Sequence, residues 1–175
     1  MKQKYIWILI VVIIGLLVLL KISSGSADKE QLAVAPTFVA NKVESSLVNS
    51  ASDTNELGDI PIGGGFVDTE FRFKNAGSEP VAIVYGETSC MCTKAVVKRS
   101  NGEMSPRIVM PGHGGVNERM NMTIEPGEEA MLVATFDPLA HGPSALGPIR
   151  REIVLQTNSK NTPELRFLFN GNVIK

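Results

Sequence analysis

The sequence predicts an all-β domain, a β-sandwich, carried on an N-terminal transmembrane helix by a flexible linker. Three observations carry that prediction. Apolar and polar residues alternate with period two in several runs after residue 58, turn-forming residues separate those runs, and no amphipathic helical period follows the N-terminal apolar stretch.

Tyr5 to Leu20 is unbroken apolar sequence with Gly15 as its only small residue, preceded by Lys2 and Lys4 and closed by Lys21. With Ile22 it has about the length that crosses a bilayer, and the flanking lysines can extend their ammonium groups to the headgroups. A cleaved signal peptide would have a shorter apolar core and a small-x-small site, of which Ser24-Gly25-Ser26 is a poor version. Residues 1–22 therefore read as an uncleaved, single-pass anchor in the cell membrane, with lipid bilayer around 5–22. Lysines on the short side keep the N-terminus cytoplasmic, so the chain after Lys21 is expected to be extracytoplasmic, in an oxidising compartment. Residues 23–57, rich in Ser, Ala, Asn and Lys, read as a linker, with one or two helical turns over Val43 to Val48. Residues 58–175 have the right size for one compact domain.

Within that domain Phe66 to Asn75 is the clearest strand, with Val67, Thr69, Phe71 and Phe73 on one face and Asp68, Glu70, Arg72 and Lys74 on the other. The turn residues of Asn75-Ala-Gly-Ser-Glu-Pro80 follow, then a short apolar strand, Val81 to Tyr85. After Glu125-Pro-Gly-Glu128 a further strand alternates Leu132, Ala134 and Phe136 before Asp137-Pro138 stops it. Ile149 to Thr157 and Leu165 to Val173 close the pattern as a hairpin, the last strand placing Leu165, Phe167, Phe169 and Val173 inward.

Cys90 and Cys92, in Thr88-Ser-Cys-Met-Cys-Thr93, are the chain's only cysteines. In an extended segment residues i and i+2 share a face, so two thiolates there can chelate a soft metal. A disulfide is harder to form, because extended i, i+2 Cα atoms stand roughly 6.5–7 Å apart, at the limit for an unstrained bridge. Burial as small apolar side chains is the third reading.

Phe71-Arg-Phe-Lys-Asn-Ala-Gly, Pro80-Val, Ser89-Cys-Met-Cys-Thr93, Glu125-Pro-Gly-Glu128, Phe136-Asp137, Thr157-Asn158 and the closing Gly171-Asn-Val together resemble the bacterial Ig-like family known as domain-of-unknown-function family 1573. The resemblance spans about Asp59 to Lys175. It implies an exported, immunoglobulin-like β-sandwich related to the major-sperm-protein and cilia-associated Ig-like domains, and it implies no activity. Two departures stand out: Met91 replaces the usual glycine between the cysteines, and Ser100 to Thr123 reads as an insertion.

The insertion presents His113 in Pro111-Gly-His-Gly-Gly115, flanked by Ile108-Val-Met110 and Met120-Asn-Met122, which are expected to pair as a hairpin. If each strand from Val81 onward reverses direction, the cysteine loop, the His113 turn and the Asp137 to Pro148 loop with His141 share one end of the sandwich. The candidate metal ligands are then Cys90, Cys92, Met91, His113, His141 and Met122. Cys2His2 suits zinc, while thiolates with thioethers suit copper(I).

Lys plus Arg is 17 against 18 for Asp plus Glu, and so nearly neutral a chain gives no reason to expect nucleic acid as partner. No Gly-x-Ser-x-Gly, His-Glu-x-x-His, P-loop or dinucleotide fingerprint is present. A thioredoxin-like enzyme would need a βαβ context and two residues between its cysteines. The expectation is a membrane-tethered, non-catalytic Ig-like domain that binds or scaffolds an exported protein partner through a sheet edge or loop end. Copper(I) or zinc delivery by Cys-Met-Cys is the alternative, and thiol-disulfide exchange the second alternative.

Overall fold

The computed structural model describes residues 41–113 and 117–175. The predicted anchor lies outside them, and among the described residues no helix is long and apolar enough to cross a membrane. The described chain forms β1 (Leu47–Asn49), β2 (Thr54–Pro61), β3 (Val67–Asn75), β4 (Val81–Thr88), β5 (Thr93–Arg99), β6 (Met122–Ile124), β7 (Glu129–Phe136), β8 (Gly147–Thr157) and β9 (Glu164–Ile174). These strands make two sheets, ordered β1-β3-β7-β5 and β2-β9-β8-β4-β6. All pairs are antiparallel except β2 with β9. Among the described residues there is no helix, and the two-sheet architecture is the β-sandwich the alternation predicts.

Alternation works here because one face of each sheet is dry and the other wet. Thr69, Phe71, Phe73 and Asn75 of β3 are buried while Asp68, Glu70, Arg72 and Lys74 are exposed, and Leu165, Phe167, Phe169 and Val173 of β9 are buried as the pattern requires. Aromatic rings join the layers. Phe167 of one sheet stands 5.2 Å from Phe71 and 5.8 Å from Phe73 of the other, and Phe136 meets Phe169 edge-on at 5.9 Å.

Three expectations are corrected. Val43 to Val48 is not helical: Val43 bridges to Ser159, and β1 pairs with β3 through Leu47↔Asn75, which buries Leu47. The sandwich therefore begins before Gly58, and β1 with the first half of β2 falls inside the expected linker. Both strands lack readable alternation, β1 because it has three residues and β2 because a bulge between Glu56 and Asp59, with Gly58 at φ +66°, breaks its period. Lastly, the two apolar runs of the insertion do not pair with each other. Ile108 bridges to Ala95 of β5, whereas Met122 of β6 pairs with Ile83 of β4 in the opposite sheet. Each run extends a separate sheet edge, which buries more apolar side chain than an isolated hairpin would.

Two polar groups fix the end of the sandwich remote from the cysteines. Asn75 is fully buried; its Nδ2 donates to the carbonyls of Glu79 (2.8 Å) and Ile124 (2.9 Å), and its Oδ1 accepts from Gly77 N–H (3.0 Å). Arg99 closes a fork on Glu128, Nε to Oε1 at 2.9 Å and Nη2 to Oε2 at 2.8 Å, with both side chains largely buried. The guanidinium holds the Glu128 carboxyl below the usual carboxylate range, against the opposing effect of burial. Because that pKa is lower folded than unfolded, the stabilisation is complete above an unfolded glutamate's pKa of about 4.3 and is lost as pH falls through the folded value. Glu128→Gln is expected to cost about 2–3 kcal/mol at pH 7. In urea unfolding the gap from wild type should narrow below pH 4, and a gap independent of pH would contradict this.

Candidate functional site

The chain must cross from one sheet to the other between β4 and β5, and Cys90-Met91-Cys92 lies in that crossing. Residues 89–92 are therefore a turn rather than an extended run. Thr93 N–H donates to the Cys90 carbonyl at 3.0 Å, closing a four-residue β-turn. The turn draws the two cysteine Cα atoms to 5.2 Å, well inside the usual disulfide range, and Cys90 and Cys92 are bonded to each other. The expectation of an extended, shared-face pair is corrected by this geometry.

The corner is tied to both sheets. Thr88 Oγ1, buried, lies 3.1 Å from the carbonyl oxygens of both Cys90 and Thr93 and shares its one proton between them. On the β8 side Ser89 N–H donates to the Glu152 carbonyl (2.9 Å), and Glu152 N–H returns a bond to Ser89 Oγ (2.9 Å). From β7, Asp137 N–H donates to the Cys92 carbonyl (2.8 Å). Asp137 also starts the tight turn that delivers His141. Its Oδ1 accepts from Leu139 N–H (2.9 Å), Gly142 N–H reaches the Leu139 carbonyl (2.8 Å), and Gly142 sits at φ +90°, where only glycine is unstrained.

Each sulfur has its own basic side chain. His141 Nε2 lies 3.1 Å from Cys90 Sγ; a disulfide sulfur carries no proton, so the ring nitrogen is the donor. Arg151 Nε donates to Cys92 Sγ at 3.0 Å, its Nη1 donates to its own neighbour's carbonyl at Arg150 (2.9 Å), and its guanidinium carbon lies 5.8 Å from the Phe136 ring centroid. Among the described residues no carboxylate pairs with Arg151, and burial pushes its pKa below the ordinary guanidinium value. Both cysteines are buried, Cys90 at 9% exposed and Cys92 at 2%, and the His141 beside Cys90 is exposed.

Of the six candidate ligands, the structure brings three together. The ligand atoms of Cys90, Cys92 and His141 lie within 4.8 Å of one another, a group that does not include His113. Met91 is exposed, at the tip of the turn. Met122 is buried opposite Ile83, five residues along β4 from Thr88. The Val109 carbonyl accepts from Thr88 N–H, so the approach to His113 runs beside the corner while its side chain stands apart from the cluster. Arg151 escaped sequence reading although a signal existed. It shares its β8 parity with Ile149, Ile153, Leu155 and Thr157, the last three buried, and a charged residue on a core-face position marks a place where that charge has a task.

The fold and this corner define an all-β sandwich module with a cystine at one end. Residues 48–112 match the family model described as Protein of unknown function (DUF1573). That span takes in Phe71 to Gly77 and Ser89 to Thr93 and supports a domain-of-unknown-function family; Glu125-Pro-Gly-Glu128 and Gly171-Asn-Val fall beyond it. No curated protein matches the chain. Among solved structures, a protein of unknown function from Porphyromonas gingivalis W83 is 16% identical with a TM-score of 0.54, over 78% of this chain and 51% of that one. This chain thus spans about half that protein's length. A PapD-like domain of human CEP192 is 15% identical with a TM-score of 0.39, over 81% and 93% of the two chains. A family 123 glycoside hydrolase from Clostridium perfringens is 11% identical with a TM-score of 0.44, over 76% and 27%. The first likeness is one of fold; the other two are weaker.

The cystine is a poor staple. Its partners are two positions apart, and closing a loop of about three residues stabilises by only about 1.6 kcal/mol in the chain-entropy account, against about 3 kcal/mol for fifteen. Reduction is therefore expected to lower the unfolding free energy by no more than about 2 kcal/mol, measured by urea titration with and without dithiothreitol. A loss of 4 kcal/mol or more would make the pair structural.

Proposed function

We propose that this chain is an exported, membrane-tethered Ig-like module that recruits a protein partner through the sandwich end that carries the cystine. One observation supports that end above the rest of the surface. Of the six large apolar side chains exposed among the described residues, four, Phe66, Met91, Leu139 and Leu146, belong to segments that leave the sandwich there. Val67 and Thr93 both pair with Phe136, so Phe66 precedes, Met91 closely precedes and Leu139 closely follows residues at one level of the sheet, and Leu146 ends the same connection as Leu139. Phe66 is 72% exposed. Exposed apolar residues gathered on the segments of one end, rather than scattered singly over the surface, favour that end as an interaction surface.

The sheet edges support partner binding less well. β1 and β6 have three residues each, and the free side of β5 is occupied by Met104 and Ile108. β2 is interrupted by its bulge, ends in Pro61 and carries Glu56 and Asp59. Short strands, covered edges, bulges, proline and charge are the devices that discourage strand addition. Tethering through residues 5–22 with the domain outside the cytoplasm accords with the oxidised pair.

Metal delivery is the second reading, favoured by the three donor atoms of Cys90, Cys92 and His141. Their sulfurs would first have to be reduced, and a cation would then lie beside the Arg151 guanidinium, which already faces Cys92. That electrostatic conflict places metal delivery behind partner binding.

A photo-crosslinking amino acid placed at Leu139, and in a control chain at Val48 on β1, separates the two ends in the source cells. Adducts are expected at 139 and not at 48, and Phe66→Glu should lower their yield at least about tenfold, the equivalent of ~1.4 kcal/mol. Equal yields at both positions, or yield unmoved by Phe66→Glu, would refute the assignment.

A further inference from the structure

The preceding reading names a surface; the corner itself points to the partner's chemistry. Arg151 is a partly desolvated cation with a sulfur as its side-chain partner and no carboxylate among the described residues. A desolvated charge without a counter-ion is costly. The cost falls if Cys92 becomes a thiolate, because an anion then sits at the place where the guanidinium already donates. The oxidised corner therefore holds the electrostatic environment of the reduced one in advance.

We propose that Cys90 and Cys92 are a disulfide/dithiol couple that accepts two electrons from a protein dithiol, with Arg151 as standing counter-charge for the Cys92 thiolate and His141 as the proton carrier at Cys90. This deepens the partner-binding reading and rests on it for the partner's docking. A partner thiolate attacks Sγ of Cys90, the less buried of the two cysteines, forming a mixed disulfide. The Cys90–Cys92 bond breaks and its electron pair leaves on Cys92 Sγ, facing Arg151 Nε at 3.0 Å. The partner's second thiol passes its proton to His141 Nδ1, and the resulting thiolate attacks the partner sulfur of the mixed disulfide; that electron pair leaves on Cys90 Sγ, which takes the Nε2 proton of the imidazolium, 3.1 Å away, and returns His141 to its neutral form. The partner has lost two electrons and two protons and holds a new disulfide. Cys90 has become a thiol and Cys92 a thiolate, and the second proton has passed to solvent. Stabilising the reduced form makes a couple more oxidising, and a stabilised thiolate is the better leaving group.

The test uses the full chain in detergent, equilibrated with glutathione buffers and quenched by alkylation, so that mass spectrometry reads the reduced fraction. Arg151→Met keeps an unbranched apolar stem against Phe136 and removes the charge. It is expected to shift the equilibrium constant at least about tenfold toward the disulfide, with Arg151→Lys restoring part of the shift. His141→Gln, at an exposed position, is expected to slow reduction by dithiothreitol about tenfold or more. Coincident equilibria for wild type and Arg151→Met overturn the proposal, as does a rate indifferent to His141→Gln; should Arg151→Met fail to fold, Arg151→Lys and the His141 rate decide alone. Tight stoichiometric binding of copper(I) or zinc by the reduced wild-type chain would overturn it in favour of a metal centre. Glutathione and dithiothreitol need no docking surface, so failure here leaves the crosslinking result untouched, and loss of adducts with wild-type redox behaviour would remove the docking surface instead.

Discussion

Everything at the cystine end depends on one crossing: the chain must leave β4 in one sheet and enter β5 in the other within four residues. Such a step exposes backbone groups that neither ladder satisfies, and buried unpaired amides are costly. The Thr88 hydroxyl takes up the carbonyls of Cys90 and Thr93, the Glu152 carbonyl takes up the Ser89 amide, and the Asp137 amide takes up the Cys92 carbonyl. A tight turn tied to both sheets results, and its tightness brings Cys90 and Cys92 within bonding reach. The cystine is a consequence of the corner rather than its cause, which is why so short a covalent loop adds little to stability.

The same bonds set the chemistry. Asp137 holds the corner and starts the turn that carries His141, so the imidazole and the Cys90 sulfur are positioned by one residue. Ser89 is tied to Glu152, whose neighbour Arg151 reaches Cys92 over the face of Phe136. Each sulfur thus receives its basic partner from a different element, and the two sulfurs are made unlike: one beside the exposed His141 imidazole, the other beside a guanidinium held over Phe136. An asymmetric pair of this kind is what thiol-disulfide exchange requires of an attacked and a leaving sulfur. The exposed apolar residues on the segments of this end add nothing to the sandwich's own core.

Long alternating runs were legible because burial on one face writes itself into the sequence every second residue; Thr69, Phe71 and Phe73, or Leu165, Phe167 and Phe169, leave no other reading. The short edge elements were not. Leu47 alone carries the burial of β1, and the Gly58 bulge erases the period of β2. The insertion misled for a different reason. Two apolar runs around a glycine-rich turn satisfy a hairpin pattern locally, and nothing in sequence shows that each finds a better partner on a separate sheet. Of the candidate site, His141 joined the cysteines as strand reversal predicted, while His113 and Met122 were separated from them by that rearrangement of the insertion. Arg151 was readable in principle, from its place on the buried parity of β8.

The most direct test is a crystal structure of the same chain determined in oxidised and in reduced crystals. A corner built by its backbone bonds and waiting for a thiolate predicts that the Thr93-to-Cys90 and Asp137-to-Cys92 hydrogen bonds persist after reduction, with Arg151 still on Cys92 Sγ. A corner that opens on reduction, or an Arg151 that turns away to solvent, would contradict that account and return the cystine to a structural role.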